Sequence, residues 1–147
     1  MSYVVELLIE NEQLVCELYK QFAKKFPGNK AFWESIANDE TKHIEFLKDT
    51  LKRNITFNEK SMSRNHIKNM ISHIETLLVK VGKGREFSQS DAVNEALNIE
   101  NSMVEMKFFE PFRKQDGTID SQISVVESDT RKHYDRLKEL KNRLTER

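Results

Sequence analysis

Glutamate and histidine side chains occupy core positions in four helix-like segments of this sequence. Residues at alternating spacings of three and four share one face of a helix, and these four faces are otherwise apolar. The residues that interrupt them are Glu12, Glu40 with His43, Glu100, and Thr130 with His133. Because burying an unpaired carboxylate is costly, interruptions on all four faces suggest one shared cause. A bound metal cation is such a cause, since it stabilises ionised carboxylates and accepts neutral imidazole nitrogen as a ligand.

The spacing of Glu40 and His43 suits a pair of metal ligands. Residues three apart lie on the same face of a helix, so both side chains can reach one ion. Oxygen-rich ligand sets with a few histidines favour iron or manganese over metals that prefer thiolate. Di-iron helix bundles take one glutamate from each of two helices and a Glu-x-x-His pair from each of the other two. Glu12 and Glu100 fit the two single-glutamate positions.

The second Glu-x-x-His pair is incomplete, because Thr130 stands three residues before His133. The two halves of the chain are nonetheless alike, since residues 35–43 align with residues 125–133. A threonine hydroxyl is a poor, neutral ligand, so one metal position would be under-coordinated or completed by water. Glu127, one helical turn before Thr130, is a candidate substitute ligand.

Four long segments have the helical repeat that would position these residues. The first covers residues 5–26, the second about residues 31–53, and the fourth begins near residue 119. The third begins near Ser88 or Ser90, either of which can cap a helix. A shorter amphipathic segment lies between the second and the third. Its apolar face consists of Ile67, Ile71, Ile74, Leu78 and Val81.

The arrangement of these segments predicts an all-α fold. Stripes at three-four spacing suit helices packed at shallow angles, and four such helices make a bundle. About 40 residues separate the second segment from the third, which favours a crossover along the bundle over a tight turn. We therefore expect a four-helix bundle with a long helical crossover between its second and third helices, in one domain over residues 1–147.

Composition narrows the class of protein. Lys and Arg together number 24, as do Asp and Glu, so no surplus of positive charge favours nucleic acid. No stretch approaches the roughly 20 apolar residues of a membrane span. The single cysteine, Cys16, excludes a disulfide within the chain and a four-cysteine metal site. We expect a soluble protein of a reducing compartment, the cytoplasm.

The sequence resembles the rubrerythrin branch of the ferritin-like superfamily, and the resemblance spans all four bundle helices. The best local matches run from Glu12 through Tyr19 to Phe22-Ala23, and from Phe32-Trp33 through Asp39 to His43, while Glu100-Asn101 also resembles the family's third helix. The resemblance implies a ferritin-like bundle with a non-haem di-iron centre that reacts with hydrogen peroxide or dioxygen. The ligands it implies are Glu12, Glu40, His43, Glu100 and His133, and Tyr19 resembles the family's tyrosine beside the metals, a catalytic position.

Departures from the family pattern affect these expectations. Thr130 replaces a ligand glutamate, and Met103 replaces an extra glutamate found in some members. Rubrerythrins proper also have a rubredoxin domain with paired Cys-x-x-Cys motifs, which this sequence lacks. An enzyme of this type would therefore take its electrons from a separate donor protein.

Three functions are compatible with this set of candidate ligands and with the missing carboxylate at Thr130. The first is a di-iron oxidoreductase that reduces peroxide or oxidises ferrous iron and so protects against oxidative stress. Two irons are the expected cofactor, and a single iron, manganese or zinc is the alternative. The second is a metal-binding or sensing bundle without turnover. The third is a metal-free bundle that acts through partners or as a homodimer. Apolar residues outside the main stripes would either support such a dimer or complete the core against the crossover helix, and these are Leu7, Leu14, Leu18 and Phe108.

Overall fold

A computed structural model of the chain describes residues 3–53, 64–83, 86–105 and 117–145. These residues form α-helices and one short 3-10 helix, and no strand occurs among them. The helices are α1 (Tyr3–Lys25), α2 (Lys30–Lys52), α3 (Arg64–Lys83), α4 (Gln89–Glu105) and α5 (Gly117–Thr145). The all-α prediction is confirmed. Residues 54–63, which belong to the predicted crossover between the second and third bundle helices, lie outside the described residues.

The break between α1 and α2 follows from a proline. Pro27 has no N–H to donate to the carbonyl of the preceding helical turn, and its ring disfavours a helical Phe26. Phe26 has φ −121° and ψ 72°, outside the helical region. A 3-10 helix over Pro27–Asn29 then leads directly into α2. The short connection lets α1 and α2 pack against each other.

The start of α4 is held by reciprocal hydrogen bonds. The backbone N–H of Asp91 donates to Oγ of Ser88 at 3.0 Å, and the backbone N–H of Ser88 donates to Oδ2 of Asp91 at 2.9 Å. This is the geometry of a capping box, with aspartate in place of the usual glutamate. Of the two serines predicted as caps, Ser88 is therefore the one that caps the helix.

The chain divides into two compact units, residues 1–84 and residues 85–147. In the first unit, α1 packs against both α2 and α3. The exposed residues of α1 form one stripe at three-four spacing, and they are Glu6, Glu10, Gln13, Glu17, Lys20 and Lys24. Leu7 and Leu18 are buried and Leu14 is partly buried, while Phe108 lies outside the described residues.

The apolar face of α3 differs from the prediction at one position. Leu77 is buried, whereas Leu78 is only partly buried. Both residues continue a three-four stripe between Ile74 and Val81, so periodicity alone cannot choose between them. The rotation of α3 against α1 makes the choice.

In the second unit, α4 packs against α5. The sequence predicts three-four stripes on both helices, and most of their positions are buried. The buried positions are Val93, Ala96, Glu100 and Met103 on α4, and Ile123, Val126, Thr130, His133, Leu137 and Leu140 on α5. Leu144, at the end of the α5 stripe, is only partly buried, while the predicted stripe positions Lys107 and Ile119 lie outside the residues whose side chains are described. Polar residues thus lie among the buried positions of both helices. No helix in the described part of the chain is long and apolar enough to cross a membrane.

Candidate metal centre

Contacts between α1 and α2 show that the two helices are antiparallel. The ring centroids of Tyr19 and Trp33 are 5.7 Å apart, and the thiol of Cys16 donates to the carbonyl oxygen of Ala37 at 3.4 Å. As the residue number falls along α1, the number of the contacting residue rises along α2. Continuing this register by one turn brings Glu12 opposite the turn that starts at Glu40.

Glu12, Glu40 and His43 come together at this point, and we call them the α1/α2 cluster. Each residue offers one ligand atom, and these atoms all lie within 4.8 Å of one another. The exposed fractions are 1% for Glu12, 0% for Glu40 and 1% for His43. Nδ1 of His43 lies 3.3 Å from Oε2 of Glu40. The structure therefore brings these three residues, which the sequence predicts as ligands, to one buried place.

The charges of the α1/α2 cluster suit a divalent cation. Two ionised carboxylates with a neutral imidazole carry a net charge of −2, and protonating His43 would still leave −1. Excess charge of one sign is costly away from water, because solvent no longer screens it. A divalent cation with a neutral histidine brings the sum to zero. The donor set of two carboxylates and one imidazole therefore fits such an ion.

The distances within the α1/α2 cluster are also compatible with metal binding. Oxygen and nitrogen ligands lie about 2.0–2.2 Å from ions such as zinc, so two ligands of one tetrahedral ion are about 3.4 Å apart. The ligand atoms of the cluster lie within 4.8 Å of one another, and side-chain rotations would bring them to that spacing. Glu12, Glu40 and His43 are thus residues that could hold one ion, with positions left open for further ligands.

Glu100 and His133 bring the same two kinds of side chain together within the second unit, and we call them the α4/α5 pair. Nδ1 of His133 lies 3.5 Å from Oε1 of Glu100. Glu100 has an exposed fraction of 0% and His133 of 1%. The pair contributes one carboxylate and one imidazole, one carboxylate fewer than the α1/α2 cluster.

Thr130 occupies the position that would supply the additional carboxylate. It is buried, and its hydroxyl donates to the carbonyl oxygen of Val126 at 3.0 Å. Such a bond to the residue four positions earlier is common for threonine inside a helix. The hydroxyl therefore donates its proton to the backbone of α5, and the side chain adds no negative charge.

Glu127, the predicted substitute ligand, lies on α5 and is partly buried. It belongs to no group of three or more histidine, cysteine, aspartate or glutamate side chains gathered within 4.8 Å in the described part of the chain. Its role as a ligand stays a prediction.

Tyr19, the predicted catalytic residue, is fully buried in an aromatic cluster. Its ring centroid lies 5.7 Å from that of Trp33 and 6.2 Å from that of Phe22. Tyr19 is seven residues beyond Glu12 on α1, which is about 10.5 Å along the helix axis. Packing explains its burial, and a catalytic role stays a prediction.

Asn11 is a buried polar residue to which the sequence analysis gave no role. It is fully buried on α1, next to Glu12. A second stripe at three-four spacing contains it, and that stripe consists of Val4, Leu7, Asn11, Leu14 and Leu18. This second stripe is the signal that would have identified Asn11 as a core residue.

Comparison of the chain with protein-family models, with curated proteins and with solved structures gave no match. The residues of the α1/α2 cluster form a buried carboxylate–histidine group that could hold a metal ion.

Proposed function

We propose that this protein is a rubrerythrin-like, non-haem iron protein with a ferritin-like four-helix bundle. Its activity would be that of a di-iron oxidoreductase acting on hydrogen peroxide, dioxygen or ferrous iron. The observation that supports metal binding is the α1/α2 cluster, in which three buried ligand side chains lie within 4.8 Å of one another. The α4/α5 pair supplies the same kinds of ligand for a second ion.

The carboxylates and the histidine of the α1/α2 cluster would contribute to metal binding in different ways. Glu12 and Glu40 neutralise the charge of the cation, and His43 in its neutral form donates a nitrogen lone pair. Burial excludes bulk water, which strengthens the electrostatic interactions at the site. Iron bound there would supply redox chemistry by cycling between its ferrous and ferric states.

Electrons for repeated turnover would come from another protein. The single cysteine of this chain, Cys16, cannot form the paired Cys-x-x-Cys sites of a rubredoxin domain. We therefore propose a small oxidant or ferrous iron as the substrate and a separate electron-transfer protein as the partner.

Metal content after anaerobic reconstitution with ferrous iron tests the proposal. We expect two irons per wild-type chain, as in a di-iron bundle. Glu40→Ala should lose iron and the accompanying peroxide consumption. Glu45→Ala is the matched control, because Glu45 is an exposed glutamate on the same helix. A wild-type chain that binds no iron, or a Glu40→Ala chain that binds and turns over normally, would contradict the proposal.

The presence of Thr130 in place of a glutamate favours a second candidate function, metal binding or sensing without turnover. Because its hydroxyl donates to the carbonyl oxygen of Val126 and adds no charge, residue 130 supplies no carboxylate to a second ion. A metal-binding or sensing bundle without turnover would bind one iron per chain and consume no peroxide beyond the level of free iron. A melting temperature and oligomeric state that do not change when metal is removed would instead favour a bundle that acts through protein partners.

A further inference from the structure

We propose that the exposed stripe of α1 is the interface of a two-fold symmetric homodimer, in which it packs against the same stripe of a second copy running in the opposite direction. We call this surface the α1 stripe, and it consists of Glu6, Glu10, Gln13, Glu17, Lys20 and Lys24. The inference does not depend on metal binding.

The charges of the α1 stripe are sorted by sign along the helix. Glu6 and Glu10 are four residues apart and form its acidic half. Lys20 and Lys24 are also four residues apart and form its basic half. Side chains at this spacing are neighbours on a helix, so like charges there destabilise the helix. Each half of the α1 stripe therefore carries a repulsive pair.

Helix α2 shows the arrangement that avoids such repulsion. It carries opposite charges four residues apart, and Nζ of Lys30 lies 3.7 Å from Oε1 of Glu34. The four side chains of the acidic and basic halves, in contrast, make no ion pair or hydrogen bond in the described part of the chain. The α1 stripe therefore presents its charges to the outside without neutralising them internally.

The helix dipole explains only the ends of this pattern. It favours Glu6 in the first turn of α1 and Lys24 in the last turn. The effect falls off within those turns, so it does not account for Glu10 and Lys20, which lie one turn farther in. A partner that brings the opposite charge to both halves accounts for all four residues.

A second copy of the chain is such a partner, because the α1 stripe is complementary to its own reverse. Glu6 and Lys24 lie nine residues before and after Val15. Glu10 and Lys20 lie five residues before and after it. Two antiparallel α1 helices related by a two-fold axis at the level of Val15 therefore place each acidic half opposite a basic half. A two-fold dimer requires a self-complementary surface of this kind.

A groove beside the basic half provides room for acidic side chains of the second copy. Its volume is about 390 Å³, and it is lined by Lys20 and Lys24 on α1 and by Lys30 and Glu34 on α2. Glu34 is already paired with Lys30. Lys20 and Lys24 are thus the two lysines of the groove that can meet incoming carboxylates.

Apolar residues of α1 do not form this interface. Leu7 and Leu18, which the sequence offered either to a dimer or to the core, are buried within the chain. The contact is therefore polar. Exposed ion pairs are weak one by one and are screened by salt, so the dimer should be sensitive to ionic strength.

Sedimentation equilibrium of the full-length chain tests the dimer. The dissociation constant should rise by about tenfold or more between about 20 mM and about 500 mM NaCl. Lys20→Glu with Lys24→Glu reverses the basic half, and Glu6→Lys with Glu10→Lys reverses the acidic half. Each double variant should be monomeric alone. An equal mixture of the two should form a heterodimer, because their stripes then carry opposite charges at all four positions.

Two further double variants serve as controls. Lys132→Glu with Lys141→Glu makes the same change in net charge on α5, where both lysines are exposed, and should keep the wild-type dimer. Lys20→Gln with Lys24→Gln removes the charges without reversing them, so it should weaken the dimer and reduce its dependence on salt. Far-UV circular dichroism checks that each variant remains helical.

The outcomes separate this inference from the proposed function. A wild-type chain that is monomeric at low salt would overturn the inference, as would dimers that persist in both reversed variants or a mixture that stays monomeric. Should the reversed variants fail to fold, the salt series of the wild type and of the glutamine variant still decides the question. A monomer that binds two irons would overturn this inference alone, and a dimer that binds no metal would contradict the proposed function alone.

Discussion

Nδ1 of His133 lies 3.5 Å from Oε1 of Glu100, so the carboxylate beside this histidine comes from another helix. His43 instead has its carboxylate three residues earlier on its own helix, where Oε2 of Glu40 lies 3.3 Å away. The difference follows from Thr130, which occupies the corresponding position on α5.

Metal affinity should fall as the pH is lowered from about 7.5 to about 5. Metal ligands bind as ionised carboxylates and neutral imidazoles, so the metal-bound protein holds fewer protons than the metal-free protein. Raising the pH therefore favours binding, and lowering it releases the ion. Zn(II) affinity measured by equilibrium dialysis across this range, with proton release followed in weak buffer, checks the expectation.

A matched histidine variant controls the pH experiment. His73 is exposed on α3, so His73→Gln should retain both the affinity and its pH dependence. His43→Gln should weaken binding at every pH. Affinity that does not change with pH would mean that proton-binding side chains are not the ligands.

Glu12→Gln should make the metal-free protein more stable while reducing its stabilisation by metal. The substitution removes one of two neighbouring buried carboxylates, whose mutual repulsion or forced protonation destabilises the metal-free fold by about 1 kcal/mol or more. In the wild type, metal at 100 times its dissociation constant should add about 2.7 kcal/mol to the free energy of unfolding. Urea unfolding with a chelator and with Zn(II) measures both quantities.

Glu10→Gln is the control for this comparison, because Glu10 is exposed on the same helix. It should change neither the stability without metal nor the stabilisation by metal. A loss of stability in metal-free Glu12→Gln would assign Glu12 a structural role instead.

Tyr19→Phe should separate packing from chemistry. Phenylalanine keeps the ring that contacts Trp33, so we expect a change in the free energy of unfolding below about 1.5 kcal/mol and an unchanged iron content. If Tyr19 takes part in catalysis, peroxide consumption by the iron-loaded variant should fall. Activity equal to that of the wild type would leave Tyr19 as a packing residue alone.

Ser88→Ala should destabilise the chain by about 1 kcal/mol, because it removes the side-chain acceptor of the capping box. Ser90→Ala provides a matched control, since Ser90 lies inside α4 and is exposed. Its effect should be within about 0.5 kcal/mol, as for ordinary surface substitutions. Urea unfolding followed by circular dichroism measures both values, and equal effects would contradict the assignment of Ser88 as the cap.

Much of the candidate site followed from the sequence, because helical periodicity is a local property. The three-residue spacing of Glu40 and His43 places both on one face of α2 whatever the tertiary fold. The same periodicity predicted that Glu100 and His133 lie on the buried faces of their helices. The sequence alone also showed that the second Glu-x-x-His pair is incomplete, because Thr130 stands where glutamate would be.

Packing decided what periodicity left open. The antiparallel register of α1 and α2, seen in the contact between Tyr19 and Trp33, is what brings Glu12 to Glu40 and His43. The rotation of α3 buries Leu77 in preference to Leu78. A stripe states which face of a helix is apolar, but the rotation and axial shift of each helix depend on side chains that are distant in sequence. For that reason the sequence by itself determined the helices and the types of candidate ligand, and the tertiary structure determined which of these side chains lie close enough together to hold one ion.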